Sequence, residues 1–369
     1  MNKLDKNYLD LVKKILDEGN EKETRNGGTK SIFGYQFRHK MEEGFPLLTT
    51  KKLSFNNIRT ELEWFLNGDT NIKYLVDNGC HIWNGDSYKN YLNKQNKSKS
   101  GGCDNCIDCY CGHTDVCDCT PMSKEEFINK IKTDDKFAKK WGELGPIYGS
   151  QWRKWRSHQM DINKNNDGSG IIKYKNIDQI QNLINEIKEN PNSRRLMVNA
   201  WNVDDLNKMV LPPCHYGFQV YIRDLSDSER YKIWFTNNYE TGMEYNENEL
   251  PDFMNPYYKY TPSKAISLMW NQRSVDVGLG LGYNIASYGL LLCLLAYKTN
   301  MIPDELIGNL GDTHIYLDHI EGLKKQLDRK GKKLPNIKIE GDIKDPLENL
   351  KVILEEYDPH PHIFLPLSN

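Results

Sequence analysis

Apolar residues spaced three and four apart open the chain. Leu4, Tyr8, Leu11, Val12 and Ile15 recur between charged positions and predict an amphipathic helix over residues 1–20. Ser31 to Arg38 reads as a strand. Ser54 is then the N-cap of a helix to Asn67, with Ile58, Leu62, Phe65 and Leu66 on its apolar face. A short helix over 71–78 is stopped by Gly79. Ile177, Ile180, Leu183, Ile184 and Ile187 give another helical stripe, ended by Asn190-Pro191. Leu196 to Trp201 follows as a strand with Leu196, Val198 and Ala200 on one face.

Strand character returns at Phe218–Ile222, at Ala265–Trp270 and at Ile307–Leu310, with a short strand near Ile337. Ile285 to Tyr297 is the most apolar stretch; it is too short to span a bilayer and reads as a buried helix. An amphipathic helix runs to about Leu327. Between these elements the pattern fades. Ser157 to Lys175 reads as a polar loop with Asn165-Asn166-Asp167-Gly168 at its tip. Apolar periodicity is also poor at about 89–142 and at about 224–263, and both read as insertions. The second reads as a hairpin extension. The expectation is one α+β domain with two insertions.

Composition narrows the class. A 369-residue chain that is 38% hydrophobic and 11% aromatic can bury a substantial core. A formal charge of −2 argues against bulk nucleic-acid or membrane-surface binding, so an anionic ligand must meet a local cluster of arginines. No secretory signal is visible, and a cytoplasmic location is expected. Six of the nine cysteines cluster at Cys103, Cys106, Cys109, Cys111, Cys117 and Cys119, with His113 among them. In a reducing compartment such clustering favours metal over disulfides, and Cys103, Cys106, Cys117 and Cys119 are the candidate zinc ligands. The spacing is not that of a standard finger, and a disordered or redox-sensitive loop is the other reading.

The stretch with most chemical promise is Leu211-Pro212-Pro213-Cys214-His215. Two prolines make a rigid lead-in that holds the Cys214 thiol at the mouth of a strand. A reactive thiolate needs positive charge or hydrogen-bond donors nearby, whereas most free cysteines are small buried hydrophobes. Arg194 and Arg195 precede a strand and suit either surface carboxylates or a phosphate. Glu61 lies beside Ile58 and Leu62 and is either a surface residue of its helix or partly buried. Gly278, Gly280 and Gly282 alternate, but neither the spacing nor a βαβ context matches a dinucleotide fingerprint. Close approach of backbone to a ligand explains them better.

Ordered blocks along nearly the whole chain outside the insertions resemble the thymidylate synthase family. They are Arg25 with its glycine loop, FPLLTTKK at 45–52, ELEWFLNGDTNI at 61–72, HIW at 81–83, GPIYGSQWR at 145–153 and SRRLMVNAWN at 193–202. LPPCH with Gln219, QRSVD at 272–276, NIASYGLL at 284–291, GDTHIYLDH at 311–319 and YDPHP at 357–361 complete the set. The resemblance implies a homodimer on a twisted mixed β-sheet with surrounding helices. It also implies conversion of dUMP and 5,10-methylenetetrahydrofolate to dTMP and dihydrofolate.

Cys214 matches the family nucleophile, and Arg273 the arginine that touches phosphate and lowers the thiol's pKa. Arg25, Arg273 and Ser274 of one subunit, with Arg194 and Arg195 of the other, match the phosphate site, and Gln219 belongs to the nucleotide set. His314 and Tyr316 match the residues that hold the ribose 3′-hydroxyl. Asn284 matches the amide that reads uracil O4 and N3, where an aspartate would suit cytosine. Glu61 resembles the glutamate that moves protons at O4 and at the folate nitrogen, and Tyr148 the tyrosine near C5. Asp276 resembles the residue that holds the pterin and acts in catalysis. Lys51, Trp83, Leu211, Leu279, Gly280 and Tyr283 match the folate pocket.

The chain departs from the pattern in places. It ends Pro366-Leu367-Ser368-Asn369, where the family ends in a small apolar residue whose carboxylate closes over folate. A wetter site would let water take the exocyclic methylene intermediate, giving 5-hydroxymethyl-dUMP, as in a dUMP hydroxymethylase. Asp86 stands where some members carry a second tryptophan, Gly282 replaces a proline, Tyr283 replaces a phenylalanine, and the glycine loop after Arg25 is one residue short. A non-catalytic, nucleic-acid-binding member is the reading from another class. The intact Cys214, Arg273 and Glu61 speak against it.

Overall fold

From the N-terminus the elements of the computed structural model run α1 (Lys3–Glu18), β1 (Asn20–Thr24), β2 (Gly27–Lys40), α2 (Phe55–Leu66), α3 (Lys73–Asp77) and α4 (Asn84–Lys99). Next come α5 (Lys124–Thr133), α6 (Asp135–Trp141), α7 (Tyr148–Lys154), β3 (Trp155–Lys164), β4 (Gly170–Ile177) and α8 (Gln179–Glu189). β5 (Met197–Asn199), β6 (His215–Asp224), α9 (Asp227–Asn238), β7 (Lys264–Asp276) and α10 (Leu281–Thr299) follow. The chain closes with β8 (Ile302–Tyr316), α11 (Ile320–Leu327), β9 (Asn336–Glu340) and β10 (Lys351–Glu355). The structure describes residues 1–24, 27–99, 122–164, 170–238 and 259–367. Two compact units share them: Met1–Leu53 with Gln179–Asn199 and Cys214–Ser368, and Ser54–Asp178 with Ala200–Pro213.

The first unit is built on a six-stranded sheet of order β1-β2-β8-β7-β6-β5. Only β7 and β8 run parallel; the other pairs are antiparallel, so the sheet is mixed. Parallel neighbours need a crossover, and α10 supplies it. The sequence reading found no βαβ context around Gly278 and Gly280, but β7-α10-β8 is such a unit. α10 is apolar almost all round, as a helix wholly inside a core must be, and packs on β7 and β8. Trp270 lies across β8 because Gly308 has no side chain; a Cβ there would sit 2.4 Å from the indole. The expected face of Leu196, Val198 and Ala200 is buried, although the strand itself is shorter than the pattern suggested.

The second unit is mostly helical. α2 starts at Ser54, whose side chain accepts from the Asn57 N–H, and it buries Ile58, Leu62, Trp64, Phe65 and Leu66. Sequence periodicity missed α4, α5 and α6 on the flanks of the cysteine-rich stretch. Their rings pack on one another: Tyr91 meets Trp141 edge-on at 5.0 Å, and Phe127 meets Phe137 at 5.7 Å. A capping box of Ser123 and Glu126 starts α5, a local signal that the sequence did carry. The stretch read as a polar loop at 157–175 is largely the antiparallel hairpin β3-β4. In the second insertion, residues 227–238 form the helix α9 where a hairpin was expected. The six clustered cysteines, Arg25, Ser368 and Asn369 lie outside the described residues. Among the described residues no group of His, Cys, Asp and Glu is arranged to hold a metal, and no helix is long and apolar enough to cross a membrane.

Candidate active site

In the sheet unit, the α10-facing side of β7 and β8 changes character along the strands. It begins apolar, with Leu268, Trp270, Leu306 and Leu310 buried. It ends polar, because Ser274 pairs with Asp312 and Asp276 with His314, and Tyr316 lies two residues further on. Cys214 sits at this polar end, half-buried at the start of antiparallel β6. Its carbonyl accepts the Arg273 N–H at 2.9 Å, so the strand ladder ties the thiol's residue to the exposed Arg273. The other described cysteines are poor nucleophile candidates. Burial pushes the Cys80 thiol up to about 11 and that of Cys293 to about 12.

His215 does not act as a base for Cys214. It is buried with Nδ1 2.8 Å from the Tyr288 hydroxyl, and burial lowers its pKa to about 3, so the ring is neutral at working pH. Tyr288 in turn stacks on Trp270 with ring centroids 5.4 Å apart. This network is a floor under the thiol's strand.

The same tryptophan orients Asn284. An indole N–H can only donate, and it donates to Gln272 Oε1 at 3.1 Å. The Gln272 amide nitrogen must then point the other way. It donates to Asn284 Oδ1 at 3.0 Å and to the Ser274 carbonyl at 3.0 Å. Asn284 is left with its NH₂ as the outward end and a second lone pair on Oδ1. Sequence matching selected Asn284 but missed Gln272, its orienting partner.

Around Asp276 the turn into α10 is held from several sides. Asp276 Oδ1 accepts from the N–H groups of Gly278 at 2.8 Å and Leu279 at 3.2 Å. Lys51 is buried and donates to the Gly278 carbonyl and to the Tyr8 hydroxyl, which itself donates to the Val277 carbonyl. Burial lowers the Lys51 pKa to about 8, with Asp276 pulling it back up. The chain just before Lys51 is held by a buried carboxylate, Asp5. Asp5 accepts from the backbone and hydroxyl of both Thr49 and Thr50 and from Asn2. Gly278 and Gly282 allow close packing within the protein, where approach to a ligand was expected. A Cβ at Gly282 would lie 2.9 Å from both Leu48 and Leu53. Gly280 and Tyr283 lie at the start of α10, Gly280 as its N-cap.

In the helical unit, Glu61 is half-buried with one hydrogen-bond donor, the Trp83 indole at 2.8 Å. Burial pushes its carboxyl up to about 7, and the indole N–H offsets only part of this. Trp83 meets Tyr148 edge-on at 6.0 Å, and Tyr148 lies 4.8 Å from Phe65. Three of the sequence candidates therefore share one aromatic-lined site. Leu211 belongs to the same unit and follows Val210, whose N–H donates to the Leu144 carbonyl at 2.9 Å.

The remaining candidates also belong to the sheet unit. Arg194 and Arg195 are exposed before β5, and Gln219 sits in register with Met197 and donates to the Arg194 carbonyl at 3.4 Å. His314 Nδ1 lies 3.4 Å from Asp312 Oδ1, and its ring meets Tyr316 edge-on at 5.3 Å.

Comparison with known proteins gives the family. The model of the family described as Thymidylate synthase matches residues 6–369. The chain is 39% identical over 361 residues to the thymidylate synthase of Mycoplasma mobile, covering 96% of this chain and 97% of that one. It is 40% identical over 353 residues to the thymidylate synthase of Aster yellows witches'-broom phytoplasma, covering 95% of each. A half-buried cysteine tied to an arginine at the polar end of a mixed sheet, and a family match over almost every residue, lead to one conclusion: the chain belongs to the thymidylate synthase family of C1 methyltransferases.

Proposed function

We propose that the protein methylates dUMP at C5 with 5,10-methylenetetrahydrofolate as co-substrate, forming dTMP and dihydrofolate. The observation that carries this reading is Cys214 at the start of β6, its carbonyl bonded to the Arg273 N–H. The Cys214 thiolate adds to C6 of the uracil ring, and the electron pair of the C5–C6 bond moves to C5 and O4. C5 then bonds to the methylene that bridges two folate nitrogens, as one of its two carbon–nitrogen bonds opens. A base takes the C5 proton, and Tyr148 is the group proposed near it. The remaining bond from methylene to folate nitrogen breaks, hydride from the tetrahydrofolate reduces the resulting exocyclic methylene, and the C6–sulfur bond opens to release Cys214.

Each residue's part follows from its donor or acceptor character. Asn284 donates its NH₂ to O4 and accepts from N3–H with the remaining lone pair of Oδ1. Glu61, with a pKa near 7, both gives and takes a proton at O4 and at the folate nitrogen. Arg25, Arg273 and Ser274 bind the phosphate with Arg194 and Arg195 of a second subunit, and Gln219 completes the nucleotide set. His314 and Tyr316 take the 3′-hydroxyl. Asp276 takes the pterin, with Lys51, Trp83, Leu211, Leu279, Gly280 and Tyr283 as the folate wall. Thiol chemistry of this kind suits a reducing, cytoplasmic compartment.

A homodimer goes with this assignment. The sheet face away from α10 presents Tyr221 at 69% and Met197 at 58% exposure, beside Met269 and Ile307. An amide ladder crosses it, with Gln36 donating to Asn309 at 2.9 Å and Asn309 to Asn271 at 3.0 Å. An apolar face with ordered amides suits an isologous contact with its own copy. Sedimentation of the wild type and of Tyr221→Asp tests it, a dimer and a monomer being the expected pair. The activity is tested by product analysis with dUMP and methylenetetrahydrofolate. dTMP with dihydrofolate is expected; 5-hydroxymethyl-dUMP with unoxidised tetrahydrofolate overturns the assignment.

A further inference from the structure

His319 lies outside every role above, yet its side chain is fully buried between the Asp276 turn and the C-terminal segment. Nε2 is 2.7 Å from the Pro366 carbonyl oxygen. A carbonyl only accepts, so Nε2 carries the proton. Nδ1 then faces Asp276 Oδ1 at 3.6 Å. A neutral ring with its proton on Nε2 would turn the Nδ1 lone pair toward a carboxylate, and that repels. A doubly protonated ring makes an ion pair on one side and a hydrogen bond on the other. Gly278 allows this approach, since a Cβ there would lie 2.6 Å from His319 Nδ1 and 3.2 Å from both Asp276 Oδ1 and Leu365.

We propose that His319 is a positioning residue that ties the C-terminal segment at Pro366 to Asp276 and thereby fixes which Asp276 oxygen meets the pterin. Oδ1 is occupied by the Gly278 and Leu279 N–H groups and faces His319, while Oδ2 makes no hydrogen bond among the described residues and is the one presented. The proposal rests on the folate reading of Asp276.

Other groups around the ring set its charge. Burial disfavours the cation, but Asp276, the Pro366 carbonyl and Asp318, whose Oδ1 is 3.8 Å from Nε2, outweigh it and raise the pKa above 6.5. The Tyr316 ring lies edge-on at 5.5 Å. From the N-terminal side, the Lys51 ammonium on the Gly278 carbonyl and the Tyr8 hydroxyl on the Val277 carbonyl complete the surroundings.

The test uses the full-length enzyme and two readouts. Nitrogen–proton NMR of the histidine rings, with His319 assigned by its loss in His319→Gln, should show a proton on Nε2 and a titration above the ordinary histidine range. In Asp276→Asn that titration should fall. An unmoved titration in Asp276→Asn overturns the ion pair whether or not the enzyme makes dTMP.

The second readout is kinetic. The wild-type KM for methylenetetrahydrofolate should rise by up to roughly tenfold as pH climbs through the His319 titration, with the KM for dUMP unchanged. His319→Gln should hold the high-pH folate KM at every pH. A wild-type pH dependence in His319→Gln, or an equal loss of both affinities, overturns the positioning role. Absence of dTMP from the wild type would instead count against the proposed function, leaving the NMR arm to decide the clamp.

Discussion

The two units treat buried and half-buried carboxylates in opposite ways. In the sheet unit, Asp5 gathers donors from Asn2, Thr49 and Thr50, and Asp276 gathers the Gly278 and Leu279 N–H groups and faces His319. In the helical unit, Glu61 has a single indole donor among apolar rings, and burial pushes its pKa to about 7. Donor number decides the difference: many donors make an anchor, whereas one donor in an apolar site leaves a carboxyl poised to carry a proton.

Four perturbations press on this contrast. The largest effect belongs to the proposed nucleophile. Cys214→Ser should lower dTMP formation at least about 10³-fold, whereas Cys293→Ser, removing a thiol held at a pKa of about 12, should leave turnover near wild type. Dihydrofolate production followed by absorbance reads both.

Glu61→Gln should cost about 10²–10⁴-fold in kcat and remove the ionisation near pH 7 from the kcat profile. Its effect on stability has the opposite sign. The folded state holds a proton on Glu61 between roughly pH 4.5 and 7 that the unfolded chain has lost, so this residue's contribution to stability falls as pH rises through that window. Above pH 7 the glutamine variant should therefore be more stable, by on the order of 1–3 kcal/mol in denaturant titrations. A variant that loses activity and stability together would break the contrast.

Asp5→Ala should destabilise by about 3–5 kcal/mol, because the buried N–H and hydroxyl donors of Thr49 and Thr50 lose their acceptor. Chemical denaturation measures this, and a weaker folate KM through displaced Lys51 should accompany it. At the small end, Ser123→Ala removes the α5 cap and should cost only ~1 kcal/mol with kcat unchanged. That result would separate local helix stability in the second unit from the chemistry of Glu61. His319 adds a pH term to global stability. Its raised pKa means a contribution fully present below pH 6.5 and lost as pH rises through the folded value.

Legibility in the sequence followed apolar periodicity. α1, α2, α8, α10 and α11 each show a stripe or an apolar run, and each appears close to where the pattern placed it. β1 reads Asn-Glu-Lys-Glu-Thr and is exposed throughout, so it carries no alternation and exists only through its pairing with β2. β3 and β4 pair with each other. α5 was hidden for another reason: with only Phe127 and Ile131 buried, its apolar face is too narrow to stand out from the lysines and glutamates around it.

For the site, residue type alone nominated Cys214 and the Arg194-Arg195 pair, and ordered blocks carried the family resemblance that added Glu61. The first two choices depend on local chemistry: two prolines before a thiol, and adjacent guanidiniums. What only the tertiary structure decided is how each polar group is satisfied. Asp5 and Asp17 are both aspartates of the first helix, yet Asp5 is an interior anchor because residues more than forty positions away bring four donors to it. The protonation of His319 depends on Asp276 and Pro366, neither of which is its neighbour in sequence. Hydrophobic period is a property of consecutive residues and can be read along the chain. A hydrogen-bond partner or a local dielectric is a property of what folding brings alongside, and it exists only once the chain has folded.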